Sequence, residues 1–224
     1  MIIYHGSQNI IEKLFLDGGK RQNDYGYGFY CTENIELAKE WGCSENSDGY
    51  ANSYELNTNG LNILKLNSEK FTILHRLTLL LKNRLFRINS DIARDGKEYL
   101  IQIFSINTDN VDVIIGYRAD DSYFSFAEDF LNNIITLEKL STAMRLGKEG
   151  EQVVLVSEKA FSNLKYLSSE IAPKEKYFIL KTTRDQNARK EYFSQRNKKN
   201  DYRNQLFMMD IIRGEIKEND TRLR

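Results

Sequence analysis

The chain has 224 residues, 41% hydrophobic and 29% charged, with 32 basic against 32 acidic side chains. That describes a globular protein with room for a sizeable core and no overall charge to draw a polyanion. No apolar run approaches the ~20 residues of a membrane span. The opening residues show no basic leader or apolar h-region, and two cysteines do not make a disulfide framework, so a cytoplasmic protein without a membrane partner is the expectation.

In chain order, residues 2–5 read as a short strand ending at His5-Gly6-Ser7. After a polar segment comes an aromatic loop, Asp24 to Gly28, whose glycines at 26 and 28 permit positive φ and close backbone approach. A short β-type run with Tyr30 and Cys31 follows. Thr32 then stands as N-cap, with Glu33 in the first turn and Ile35, Ala38 and Trp41 at helical spacing. The Gly42–Gly49 stretch is a loop by composition, and Tyr50–Leu56 and Leu61–Leu66 are strand candidates. Phe71 to Phe86 carries an apolar stripe (Phe71, Leu74, Leu77, Leu81, Leu85) and predicts a helix. Residues 88–110 are open between strand and helix at Glu98–Ile106. Val111–Gly116 predicts a strand, and Arg118 to Asp121 opens a helix that runs to Leu131. A further helix is expected from Thr136 to Leu146, with Gly147 in the C′ place. The β-branched run in Glu151–Ser157 predicts a buried strand. A short helix (Glu158–Asn163) and a strand near Leu164–Leu167 close the first part. From about Lys181 apolar residues thin out and basic residues gather up to Arg203, before Leu206–Ile212 offers a docking face.

The residues able to carry chemistry are few. His75, inside the long helix, reads as structural. His5, at a strand end beside a glycine, is open between a hydrogen-bonded structural residue and a ligand donor. Cys31, Cys43, His5 and His75 lack the paired spacing of a zinc site, so no metal is expected. Cys31 between Tyr30 and Thr32 reads as an inert thiol rather than half of a nucleophilic dyad with His5. Gly26-x-Gly28 lacks the rest of a dinucleotide fingerprint. Asp120 and Asp121 at a helix start fit capping better than an acid/base pair.

Taken together, Tyr4-His5-Gly6-Ser7, Asp24–Thr32, Asn52-x-Tyr54, Asn83-Arg84, Asp112–Asp121 and Gln152–Leu164, in this order, resemble the ADP-ribosyltransferase superfamily. The likeness is to its diphtheria-toxin and poly-ADP-ribose-polymerase branch, with a His-Tyr-Glu triad, and closest to a group of uncharacterised bacterial domains. It covers about residues 1–170. It implies an α+β fold: a split pair of mostly antiparallel sheets around an NAD cleft, over residues 1–175, followed by a helical, partly basic extension over 176–224.

The resemblance also implies roles. His5 matches the residue that bonds the adenosine ribose of NAD, and Gly6, with Ser7 beside it, the backbone that holds the nicotinamide amide. Tyr30 and Trp41, eleven residues apart, match the aromatics that sandwich nicotinamide, with Gly28 and Thr32 in the same cofactor-binding element. The third triad position falls on Gln152, where the family has glutamate. Glutamine accepts a bond from the nicotinamide-ribose 2′-OH but brings no charge, so weaker stabilisation is expected and chain elongation is not. Some relatives also carry a serine where Ala38 stands. Asp120, Asp121 and Glu151 are candidates for positioning the acceptor.

The function implied is transfer of one ADP-ribose from NAD, a co-substrate, to a macromolecule. That acceptor is a protein, or a nucleic acid met by the basic 184–203 segment, whose alternating charges equally describe a solvated face. A toxin or defence effector with an antitoxin or other neutralising partner fits the bacterial likeness. NAD hydrolysis, and a degenerate module that only binds NAD, are the alternatives.

Overall fold

A computed structural model describes residues 1–14, 23–118, 121–146, 150–196 and 205–223. The protein is α+β, with two mostly antiparallel sheets. One sheet has the order β1-β3-β7, formed by Ile2–Ser7, Gly49–Leu56 and Leu164–Ala172. The other has the order β2-β6-β5-β4, formed by Phe29–Cys31, Glu151–Leu155, Val113–Tyr117 and Ile63–Lys65. Among the described strands only the β4–β5 pair is parallel. The strand expected near Leu164–Leu167 runs on to Ala172 because β3 pairs with it along its whole length.

The sheets meet at β1 and β2 through a single bridge. Tyr4 N–H donates to Thr32 O at 2.8 Å, and Thr32 N–H donates to Tyr4 O at 2.9 Å. This bridge corrects the expected start of helix α1 (Ile35–Gly42). Thr32 is held extended by Tyr4, so the cap moves to Asn34, whose Oδ1 accepts from the N–H of Glu36 and Leu37. Glu33 thus precedes the helix and Glu36 is the acidic residue of its first turn. Both faces of β6 are buried from Gln152 to Leu155; on one of them Cys31, Val113, Val153 and Leu155 join Ile3, Tyr54 and Leu56 in a core.

The remaining elements are helical. Helix α2 spans Ile73–Asn83, shorter than the stripe to Phe86 predicts, because Arg84 is already extended; Leu85 lies beyond the end and is exposed. The stretch left open between strand and helix is helix α3 (Asp91–Ile103), started by Ser90, whose Oγ accepts from Ala93 N–H at 3.1 Å. Then come α4 (Asp121–Leu131), α5 (Leu137–Leu146), α6 (Glu158–Ser162), α7 (Lys174–Arg196) and α8 (Met208–Arg213). Gly147 and Asp120 fall outside the described residues.

Two compact units result. The first comprises residues 1–67, 108–118 and 149–184, and holds both sheets. The second comprises 68–107, 119–148 and 185–224, and is built on a leucine-rich helical core that includes Leu74, Leu77, Leu100, Phe130 and Met208. Residue 175 falls in the first turn of α7. No helix among the described residues is long and apolar enough to cross a membrane.

Candidate functional site

The single bridge between β1 and β2 decides where the first unit exposes main chain. Tyr4 spends its N–H and C=O on Thr32, so Gly6, two residues on, aims its own toward the same edge, past the end of the pairing. Helix α1 closes over Gly6 from the other side. A Cβ at that position would stand 2.0 Å from Ala38 O and 2.9 Å from Trp41 Cβ, so only glycine lets α1 sit there. Trp41 is thereby set beside Gly6.

His5 projects from β1 onto β2. Its ring stacks on Phe29, with centroids 4.3 Å apart, and Nδ1 lies 2.7 Å from Tyr30 O. A carbonyl only accepts, so Nδ1 carries the hydrogen and Nε2 is left as an acceptor. Burial lowers the His5 pKa from its ordinary value, against the Tyr30 carbonyl, which raises it; the neutral ring is favoured. Phe29 and Tyr30 point to opposite faces of β2. The His5 ring therefore meets Tyr30 through its main chain, not its ring.

The Tyr30 ring lies on the opposite face of the sheet, which is buried as well. Registers Tyr30↔Val154, Ile114↔Val154 and Gly116↔Gln152 put Tyr30, Val154, Gln152, Ile114 and Gly116 together there. The 23–27 loop folds over them. Tyr30 Oη donates to Gly26 O at 2.8 Å and accepts from Tyr25 N–H at 3.0 Å. Tyr25 Oη donates to Tyr117 O, and its ring crosses Gly116, where a Cβ would stand 2.5 Å from that hydroxyl. Of the two glycines at 26 and 28, Gly26 is the one with positive φ (80°). Gly28 serves close packing instead: a Cβ there would stand 2.8 Å from Leu155 O. Gln152 is buried, and its Nε2 donates to Asp24 Oδ2 at 3.1 Å. A cavity of about 380 Å³ adjoins this face, lined by residues including Tyr25, Tyr27, Ile114 and Val156.

Around Trp41, the Arg118 guanidinium lies 4.9 Å from the ring centroid, and the indole Nε1–H is buried without a hydrogen-bond partner among the described residues. Helix α1 is tied to the start of α7. Arg184 donates to the buried Glu40 at 2.6 Å, and Tyr177 Oη donates to Glu36 at 2.9 Å. Arg184 of the basic segment is thus engaged in an ion pair.

Sequence reasoning passed over two groups. Asn52 is fully buried: Nδ2 donates to His5 O, Ser7 Oγ and Asn9 O, while Oδ1 accepts from Ile11 N–H and Ser169 Oγ. With Tyr54 Oη on Ile11 O at 2.6 Å, it fixes Ser7 at the end of β1 and the chain that follows. Asp24 is the other. Both stood in the quoted motifs, and a polar residue spaced as a core position was the available signal for Asn52.

Of the remaining candidates, Thr32 is buried in the β1 bridge with Oγ1 accepting from Asn34 N–H at 3.2 Å. Glu151 faces away from Gln152, is exposed, and accepts from Asn67. Asp121 opens α4 in the second unit, and Asp120 lies outside the described residues. Burial pushes the Cys31 thiol well above its ordinary value. Among the described residues no three His, Cys, Asp or Glu side chains gather as metal ligands.

The chain belongs to DUF3990, a family of proteins of unknown function, whose model matches residues 1–166. The match takes in His5, Gly6, Asp24, Tyr30, Trp41, Asn52 and Gln152. No curated protein and no solved structure matches.

Proposed function

We propose that this DUF3990 member is an NAD-dependent mono-ADP-ribosyltransferase with an ADP-ribosyltransferase-like split-sheet fold. The observation that carries the reading is the β1–β2 junction: His5 is bonded to Tyr30 O, Gly6 turns main chain to the open edge beside Trp41, and Gln152 shares the face of Tyr30.

In this reading Gly6 main-chain groups bond the nicotinamide amide, and Tyr30 and Trp41 flank its ring. His5 Nε2 accepts from an adenosine-ribose hydroxyl. Gln152 Oε1 accepts from the 2′-OH of the nicotinamide ribose. The bond between C1′ and the nicotinamide nitrogen breaks, its electron pair stays on nitrogen, and the pyridinium becomes neutral nicotinamide. The oxocarbenium ion at C1′ is then captured by an acceptor oxygen or nitrogen, whose proton leaves to solvent. The residues act by orienting NAD and by placing the amide carbonyl oxygen of Gln152 near the developing charge.

Incubation of the full chain with NAD labelled in its adenylate part, alongside cell lysate or nucleic acid, tests the proposal. Label on a macromolecule, with equivalent free nicotinamide, is expected. Free ADP-ribose alone would assign hydrolysis instead, and the absence of both products would refute NAD chemistry.

A further inference from the structure

The glutamine at the catalytic strand leaves the proposed reaction short of one negative charge, and the structure holds a carboxylate beside it. Gln152 and Asp24 are 3% and 6% exposed. Their contact spans 128 residues of sequence, joining Gln152 Nε2 to Asp24 Oδ2. A carboxylate accepts only from the NH₂ half of an amide, which settles the orientation of Gln152: nitrogen to Asp24, Oε1 to the other side. Asp24 also precedes Tyr25, whose N–H bonds the Tyr30 hydroxyl. Consecutive residues of one loop therefore hold both Tyr30 and Gln152.

We propose that Asp24 is a positioning residue for Gln152, fixing its carbonyl oxygen toward the ribose and lending it the charge that glutamine lacks. The inference rests on the NAD reading above. A charged acceptor on the amide NH₂ strengthens that bond and draws electron density through the amide onto Oε1. The oxygen then bonds the 2′-OH more strongly as positive charge grows at C1′. No proton moves between Asp24 and Gln152. Glycine at 116, the β5 neighbour of Gln152, leaves space for the Tyr25 ring that seats this loop.

Nicotinamide release from NAD by the full chain, resolved into kcat and KM, provides the test. Asp24→Asn keeps an acceptor oxygen for Gln152 Nε2 and removes the charge, while turning the second carboxylate oxygen into an NH₂ group. Its kcat falls about 10- to 100-fold, less than the loss of a direct stabilising contact, with KM within about twofold. Gln152→Glu sets two carboxyl groups in contact, and such a pair holds one proton between them. That variant turns over at neutral pH and loses activity at alkaline pH, a limb the wild type lacks. The Asp24→Asn/Gln152→Glu double variant regains most of the wild-type kcat and sheds the limb. An unchanged kcat in Asp24→Asn overturns the proposal, as does a Gln152→Glu profile parallel to wild type. The second result holds even where Asp24 variants fold poorly. A wild type that releases no nicotinamide overturns the NAD reading itself, and with it this inference.

Discussion

The two units bury polar groups in different ways. In the helical unit the buried polar side chains bond first to near neighbours: Thr78 Oγ1 donates to Leu74 O, and Thr72 N–H donates to His75 Nδ1. Their longer reaches are weaker: Thr78 Oγ1 lies 3.3 Å from Leu100 O, and His75 Nε2 3.6 Å from Glu218. These bonds let Leu74, Leu77 and Leu100 pack without unpaired groups, and they end at stability. In the sheet unit the buried polar side chains reach across the sequence. Asn52 ties five groups between residues 5 and 169, Gln152 reaches Asp24, and Tyr25 reaches Tyr117. Such bonds fix loops onto strands at a cost in chain entropy, and they surround one junction. The two histidines differ in what they leave over. His75 has Nδ1 on its own helix cap and Nε2 3.6 Å from Glu218, whereas His5 keeps Nε2 as an acceptor.

Three predictions sharpen that contrast, the largest first. Gly6→Ala forces a Cβ to 2.0 Å from backbone oxygen of α1, whereas Gly96→Ala meets Met208 Cγ at 2.9 Å, the flexible side chain of α8. Urea unfolding should show Gly6→Ala destabilised by about 1–3 kcal/mol or more. Gly96→Ala should lie near zero, since better helix propensity offsets a small shift of Met208. Equal effects would mean that α1 is not seated on β1 as described.

Next, Asn52→Ala should cost about 1–3 kcal/mol, because Ile11 N–H loses its acceptor and the 7–11 segment its anchor. Hydrogen exchange should speed up at Ile11 while the amides of α2 and α3 keep their protection. A uniform loss would make Asn52 an ordinary core residue.

The smallest effect is the pH dependence. Burial lowers the pKa of both His5 and His75, and for His75 the Glu218 charge opposes this. The unfolded chain, at 6.5, takes up protons that the folded chain refuses. Stability is therefore full above about 6.5 and falls as pH drops below it, with a slope of at most about 1.4 kcal/mol per pH unit for each histidine. The carboxylates held low, such as Asp112 by Asn62 N–H and Ser157, act only below about 4. Urea midpoints between pH 8 and 5 should decline in wild type and flatten in a His5→Gln/His75→Gln variant. A decline that persists would place it elsewhere.

Local pattern made much of this legible. The Leu74–Leu77–Leu81 spacing marks α2, and the Val-Val-Leu-Val run marks β6. The candidate site was legible as order along the chain, His5-Gly6 before Tyr30 before Gln152, and not as contact. Thr32 misled because its propensity as a cap competes with a long-range bridge to Tyr4 that no local pattern carries. Asp24 was in view as a loop residue, but its partner lies on β6, and only folding brings the carboxylate to the amide. The 88–110 stretch stayed open because Ile, Phe and Tyr serve strand and buried helix equally, and Ser90 as a cap decided it.

The central claim is that the β1–β2 junction takes NAD and breaks its glycosidic bond. Chromatographic measurement of nicotinamide released from NAD, by wild type and by folded His5→Ala and Trp41→Ala variants at equal concentration, tests it most directly. The account predicts release by wild type, lowered at least about 10-fold in each variant through lost orientation of NAD. Release that survives both substitutions, or none from the wild type, would contradict it.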